Sequence, residues 1–181
     1  MGMAEGEGVA EAIGVALGER GDAERAQSER RYLKSELDHI GVPVPVVRKV
    51  VRSVAKAEGV RGRADVVAVV LALWEAPVHE CRLAGIELLV AHSKDLGASD
   101  LELVERLIRE ARTWALVDPL AVKVTGSVVD REPGAAAALD RWAVDPDFWV
   151  RRSALLALLD PLKRGQGDFV RFSDVRRFDA R

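Results

Sequence analysis

Trp114 and Asp118 stand four residues apart in Thr113-Trp-Ala-Leu-Val-Asp118. On a continuous helix that spacing puts an indole and a carboxylate on one face. An indole face attracts a cation, and a carboxylate stabilises positive charge as it develops, so the pair would clamp a positively charged ligand. A plainer reading stands beside it. Asp-Pro occurs at 118–119, 145–146 and 160–161, and Asp as N-cap with Pro at the first helical position is a routine helix start.

A second group is cationic. Arg48, Arg52 and Lys56 recur every four residues on a segment, 44–57, that contains no acid. A one-signed stripe suits a polyanion, because each neutralised phosphate releases counterions; the alternative is an ordinary solvated face. A third group, His79-Glu-Cys81 with His92, offers too few converging ligands for a metal. It reads as a buried cysteine with surface histidines. No Gly-rich phosphate loop, nucleophile elbow or HExxH occurs, and neither metal nor cofactor is expected.

The elements that must position these residues all carry helical periodicity. Helices are expected at Val9–Leu17, at Asp22–Leu37 with Asp22 as cap, and from about 44 to Ala57 with Val47, Val50, Val51 and Val54 inward. Others follow at Arg63–Trp74, Val78–Lys94, Ser99–Thr113, within 114–130, at Gly134–Trp142 and at Asp147–Leu159. Val122–Val129 is β-branched, but a lone strand would have no partner. The stretch Asp147-Phe-Trp-Val-Arg-Arg-Ser-Ala-Leu-Leu-Ala-Leu158 has the pattern D-x-x-V-R-x-x-A-L-x-A-L and resembles the second helix of a HEAT repeat. Glu80–Leu89 is a weaker copy. In both copies a tryptophan (Trp74, Trp142) and then a proline (Pro77, Pro146) come first, with an arginine five positions after the proline. The fold class expected is all-α, an α-solenoid of antiparallel helix pairs in HEAT-like repeats, each needing neighbours to bury both faces. Residues 1–165 form that domain, and 166–181 a short basic tail whose order the sequence leaves open. Trp149, at a repeat junction, is read as filling space.

Composition bounds the rest. The chain has 181 residues, 49% hydrophobic and 31% charged, with a net charge of −2, enough apolar material for a core. Its longest apolar run, Val66–Trp74, is far short of a membrane span. The acidic N-terminal segment (Glu5, Glu7, Glu11) is no secretory signal, and a single cysteine excludes an intrachain disulfide. A soluble cytoplasmic protein is expected, with no membrane partner. Charge is unevenly placed: residues 44–63 hold six bases against Glu58 alone.

Taken together, four stretches resemble the HEAT-repeat DNA alkylation repair glycosylases, the AlkD-like family. They are Arg31-Tyr-Leu-Lys34 followed by Gly41-Val-Pro-Val-Pro45; Leu73-Trp-Glu-Ala-Pro77 with Glu80; Thr113-Trp-x-x-x-Asp118 with Gly126; and Asp147-Phe-Trp-Val-Arg-Arg152 with Ala154. They run in family order over about residues 8–165. The resemblance implies hydrolysis of the N-glycosidic bond of N-alkylated purines, of the 3-methyladenine and 7-methylguanine type, in double-stranded DNA. It places Trp114 and Asp118 as the catalytic pair and Arg152 on the DNA backbone. Arg151, Tyr32, Lys34, Arg48, Arg52 and Lys56 join Arg152 as candidate DNA contacts, and the protein would associate with the nucleoid when engaged. Arg48, Arg52, Arg151 and Arg152 are expected on one concave positive surface. After about Gly167 the chain lacks apolar periodicity and a further tryptophan, and reads as C-terminally shortened against that family. The alternative is therefore a non-catalytic HEAT-type binding module for protein or DNA.

Overall fold

The computed structural model describes residues 2–167, 169 and 170. The described chain is all-helical, apart from one isolated bridge between Asp38 and Val78. Its helices pack in pairs, the arrangement from which an α-solenoid is built. Two compact units divide between His92 and Ser93.

The first unit holds α1 (Met3–Gly18), α2 (Ala23–Leu33), α3 (Val44–Ala57), α4 (Gly62–Glu75) and α5 (His79–Ala91). α4 packs on both α1 and α5, and α3 closes the group against α1 and α5. Each of the four lays an apolar face inward: Val9, Ile13 and Leu17 from α1; Val47, Val50, Val51 and Ala55 from α3; Val66, Val69, Val70, Leu73 and Trp74 from α4; Leu83, Ala84, Ile86, Leu88 and Leu89 from α5. Val54, expected inward, is half-buried, and Ala55 takes its place one residue on. α2 differs, with no buried residue.

α1 begins six residues earlier than its periodicity suggests, because residues 4–8 are small or acidic and the exposed Met3 alone sets no apolar period. α2 stops at Leu33 rather than Leu37. Lys34 turns left-handed (φ 49°), and the Ser35 amide returns to the Arg30 carbonyl at 3.1 Å, a C-cap that closes the last turn.

The loop after α2 is pinned from below by one side chain. Glu80 is fully buried on α5 and accepts from the backbone amides of Ile40 (2.9 Å), Gly41 (2.6 Å) and Val42 (3.2 Å). Gly41 has φ +84°, and a Cβ there would lie 2.1 Å from the Asp22 carbonyl oxygen, so both conformation and space demand glycine. The bridge beside it (Asp38 N to Pro77 O, 2.9 Å; His79 N to Asp38 O, 2.8 Å) brings His39 onto His79. Their rings stack at 4.5 Å and 9°. His79 is thus buried, at 6% exposure, rather than on the surface as expected: the bridge draws the start of α5 under the loop. Burial pushes its imidazole pKa down to about 4. Cys81 is buried as expected, its thiol pushed up to about 11 by burial and unsuited to attack.

The second unit holds α6 (Leu101–Ala111), α7 (Trp114–Pro119), a π-helical turn (Leu120–Thr125), α8 (Gly126–Arg131), α9 (Ala136–Trp142), α10 (Phe148–Leu156) and α11 (Leu159–Lys163). α10 is its hub, packed against α6, α7, the π-turn and α9. The hub face is Val150, Ser153, Ala154 and Ala157, all at 1% exposure or less. This i, i+3, i+4, i+7 row belongs to the helix singled out by its repeat-like pattern. Three-residue 3₁₀ turns at Ser93–Asp95, Ala98–Asp100 and Pro133–Ala135 precede or follow helices read from sequence as longer, and α11 has no counterpart in that reading. Most of the basic tail expected over 166–181 lies outside the described residues.

A candidate carboxylate and indole site, and a basic cleft

The second unit brings together three of the residues expected at a site. Trp114 opens α7 behind Thr113 and is 46% exposed. Asp118 follows one turn later on the same face. Its carboxylate is gripped by Arg152 of α10: Nε donates to Oδ1 and Nη2 to Oδ2, each at 2.8 Å. The two side chains are 30% and 35% exposed, so the pair sits at the surface with one side open to solvent.

Asp118 is not a helix cap. It is the fifth residue of α7, and the Leu120 amide donates to the Val117 carbonyl. The other two Asp-Pro aspartates do not cap helices either. Asp145 accepts from Arg109 (2.9 and 2.6 Å) and from the Asp147 amide (2.8 Å), and the Arg109 guanidinium holds its carboxyl below the usual carboxylate range. Asp160 pairs with Lys123 at 2.5 Å. The N-cap of α10 is Asp147, which accepts from the Trp149 amide at 2.7 Å.

Local backbone chemistry reshapes the helix immediately after Asp118. Pro119 brings no amide hydrogen, and its ring crowds the carbonyl one turn back. The helix responds by widening into the π-turn Leu120–Thr125 immediately after it, a feature that recurs at functional sites. The Thr125 hydroxyl donates to the Leu120 carbonyl at 3.1 Å and fastens the widened turn. These residues are helical, which settles Val122–Val129 against a strand.

Gly126 then lets α8 approach the end of α10. A Cβ at Gly126 would lie 2.6 Å from the Ala157 carbonyl oxygen, and backbone cannot yield as a side chain can. Gly126→Ala is expected to destabilise the protein by about 1–3 kcal/mol through overpacking, read by urea denaturation. An unchanged midpoint would show that α10 shifts freely.

Arg152 owes its place to the start of α10. Trp142 is buried, and its indole Nε1 donates to Glu105 at 2.6 Å. Glu105 holds Arg109 at 2.5 Å, and Arg109 holds Asp145. Arg151 closes the same corner, donating to the carbonyls of Asp145 (2.7 Å) and Pro146 (3.0 Å). Of the two adjacent arginines, one therefore braces the backbone and the other meets the carboxylate. Trp149 is half-buried and edge-on to Phe148 at 5.2 Å.

The first unit carries the cationic residues. Arg48 forms a two-point pair with Glu87 of α5 (2.7 and 2.8 Å), so its charge is largely offset. Arg52 and Lys56 are exposed on the same stripe. With Arg48 and Arg61 they rim a cleft of about 440 Å³ whose floor includes Val51, Ala55 and Leu88. Tyr32 is 75% exposed near the end of α2, and Lys34 is exposed just beyond it.

Glu87 escaped the sequence reading because nothing local links it to Arg48, 39 residues away. Nor does any local spacing join Asp118 to Arg152, 34 residues on.

The described residues are all-helical and present an exposed indole and an arginine-held carboxylate one turn apart on one helix. A model of the DNA alkylation repair enzyme family matches residues 13–177, and the chain belongs to that family. A search of curated proteins finds no match.

Proposed function

We propose that this protein is a DNA glycosylase that removes N-alkylated purines, of the 3-methyladenine and 7-methylguanine type, from double-stranded DNA, using helix pairs that we read as HEAT-like repeats. The observation that carries the reading is Asp118, one turn from an exposed Trp114, its carboxylate oriented by a side chain and spared from capping.

An N-alkylated purine is cationic and already a good leaving group. Its C1′–N bond breaks with the electron pair going to the purine, which departs neutral. The sugar is left as an oxocarbenium ion. Asp118 would face that charge and Trp114 would present its ring to the cationic nucleotide. Water then adds to C1′ and gives up a proton to solvent, so that the sugar is left as a neutral abasic site. The test is to incubate the protein with methylated DNA and assay freed 3-methyladenine.

Arg152 acts as a positioning residue in this scheme. Two of its N–H donors orient Asp118, and its positive charge would also face the DNA backbone. Arg152→Lys keeps the charge but not the two-point grip. It should lower kcat by roughly tenfold or more, since small misplacements of a reacting group are costly, with little change in KM. A rise in KM alone would make Arg152 a DNA contact and nothing else.

Duplex binding should weaken steeply with salt. Because Glu87 offsets Arg48, the stripe's effective charges are Arg52 and Lys56. Replacing both with alanine should reduce the slope of log affinity against log salt by about 1.8, at roughly 0.9 per phosphate contact. An unchanged slope would remove the stripe from the interface.

A second reading, a binding module without chemistry, draws on the same ion pair, because a purely structural brace would also join Asp118 to Arg152. It predicts binding without base release.

A further inference from the structure

Three segments of the first unit converge below the loop that joins α2 to α3. Glu29 of α2, His39 of the loop and Glu80 of α5 each offer a ligand atom, and these atoms all lie within 4.8 Å of one another. Neither ring nitrogen of His39 reaches solvent or finds a hydrogen-bond partner among the described residues. Buried polar atoms in folded proteins are nearly always satisfied, and an exception calls for an unseen partner. His79, at 6% exposure, stacks on the His39 ring and fixes its plane, and its own Nδ1 is likewise without a partner. Glu80 uses two acceptor positions on Oε1 and one on Oε2. A carboxylate has about four such positions, which leaves one on Oε2. Among the described residues Glu29 pairs with Arg25 on its own helix, an exposed i, i+4 pair that is easily given up.

We propose that Glu29, His39 and Glu80 form a binding site for a first-row divalent transition-metal ion, with zinc as the probe. One imidazole and two carboxylates are a borderline nitrogen and oxygen set that suits zinc, cobalt or nickel, with a fourth position left for water. The ion takes a lone pair of His39 that otherwise has no partner. It also answers what holds α2, which contributes nothing to the core: the ion ties Glu29 to α5 and steadies the end of α2 that carries Tyr32. His79, Cys81 and His92 are not the ligands. Cys81 plays no part, and His79 supports the site by stacking.

The test is a zinc titration of the whole, chelator-treated protein, followed by calorimetry and by thermal unfolding. One ion per chain is expected, with Tm rising by roughly 5–10 °C when zinc exceeds its Kd about a hundredfold. Glu29→Gln and His39→Gln both leave the Glu80 amide contacts in place. Each should weaken zinc binding by roughly tenfold or more, while His92→Gln binds as the parent does. Zinc binding below one ion per chain, or binding and a Tm rise that survive both ligand substitutions, overturns the proposal. Unfolding in excess chelator verifies that each variant is folded. Base release plays no part in these readouts, so the site stands or falls separately from the glycosylase reading.

Discussion

Asp118→Asn is expected to reduce release of 3-methyladenine by about 100- to 1,000-fold while leaving stability within about 1 kcal/mol of the parent. The rate effect follows from two opposed charges. An oxocarbenium carbon about 4 Å from the carboxylate gains about 4 kcal/mol at an effective dielectric constant near 20. The Arg152 guanidinium, on the far side of the carboxylate at roughly 8 Å from that carbon, takes back about 2 kcal/mol. The nearer charge wins, and the pair as a whole favours the cation. Asparagine removes the favourable part and leaves the opposing arginine in place, so the loss is the full 4 kcal/mol or so, within reach of what a preorganised polar group supplies in an active site. The small stability effect follows from exposure: at 30% and 35%, the ion pair is worth about 0–1 kcal/mol. The readout is a single-turnover excision assay beside a urea melt. An asparagine variant that still excises at the parental rate would remove Asp118 from the chemistry. A parent and a variant equally inactive, both binding DNA, would establish the binding-module reading.

The parts legible in the sequence are those that local physics dictates. Apolar residues at helical spacing marked α3, α4 and α10, and Pro and Gly marked the breaks between them. The i, i+4 relation of Trp114 and Asp118 held because α7 is continuous over that single turn. What the sequence hid was long-range or irregular. Asp118 and Arg152 were both singled out, but their pairing depends on how α10 lies against α7, which no spacing encodes. The π-turn after Pro119 was invisible because a proline signals a break without saying how the chain absorbs it. His79 was misplaced for a related reason: a two-residue bridge to Asp38, set up 40 residues upstream, pulled it under a loop.

In the sequence Glu80 is an ordinary neighbour of Leu73-Trp-Glu-Ala-Pro77, yet it is the side chain on which the first unit's loop rests. Substituting it should give one of the largest stability losses in the protein. Glu80→Gln preserves volume but turns one acceptor into an amide donor facing the donors of residues 40–42. Each hydrogen bond to a charged group contributes about 1.5–3 kcal/mol, and a buried donor left unpaired costs about 1–3 kcal/mol. Even with the amide oxygen in the Oε1 position, which keeps the Gly41 and Val42 bonds, the lost Ile40 bond and its unpaired amide should together cost about 3 kcal/mol, a large part of the 5–15 kcal/mol typical of a folded domain. Glu80→Ala adds a cavity and should cost more, roughly 4–5 kcal/mol. The measurement is chemical denaturation of both variants, with hydrogen exchange at Ile40, Gly41 and Val42 to locate the effect. Fast exchange at these three amides in Glu80→Gln, with the α4 and α5 core still protected, would place the damage in the loop. A glutamine variant within about 0.5 kcal/mol of the parent would mean that the bridge from Asp38 to Pro77 and the Ile40 contact to Asp22 (2.9 Å) already hold the loop, and that the buried carboxylate does not serve the fold.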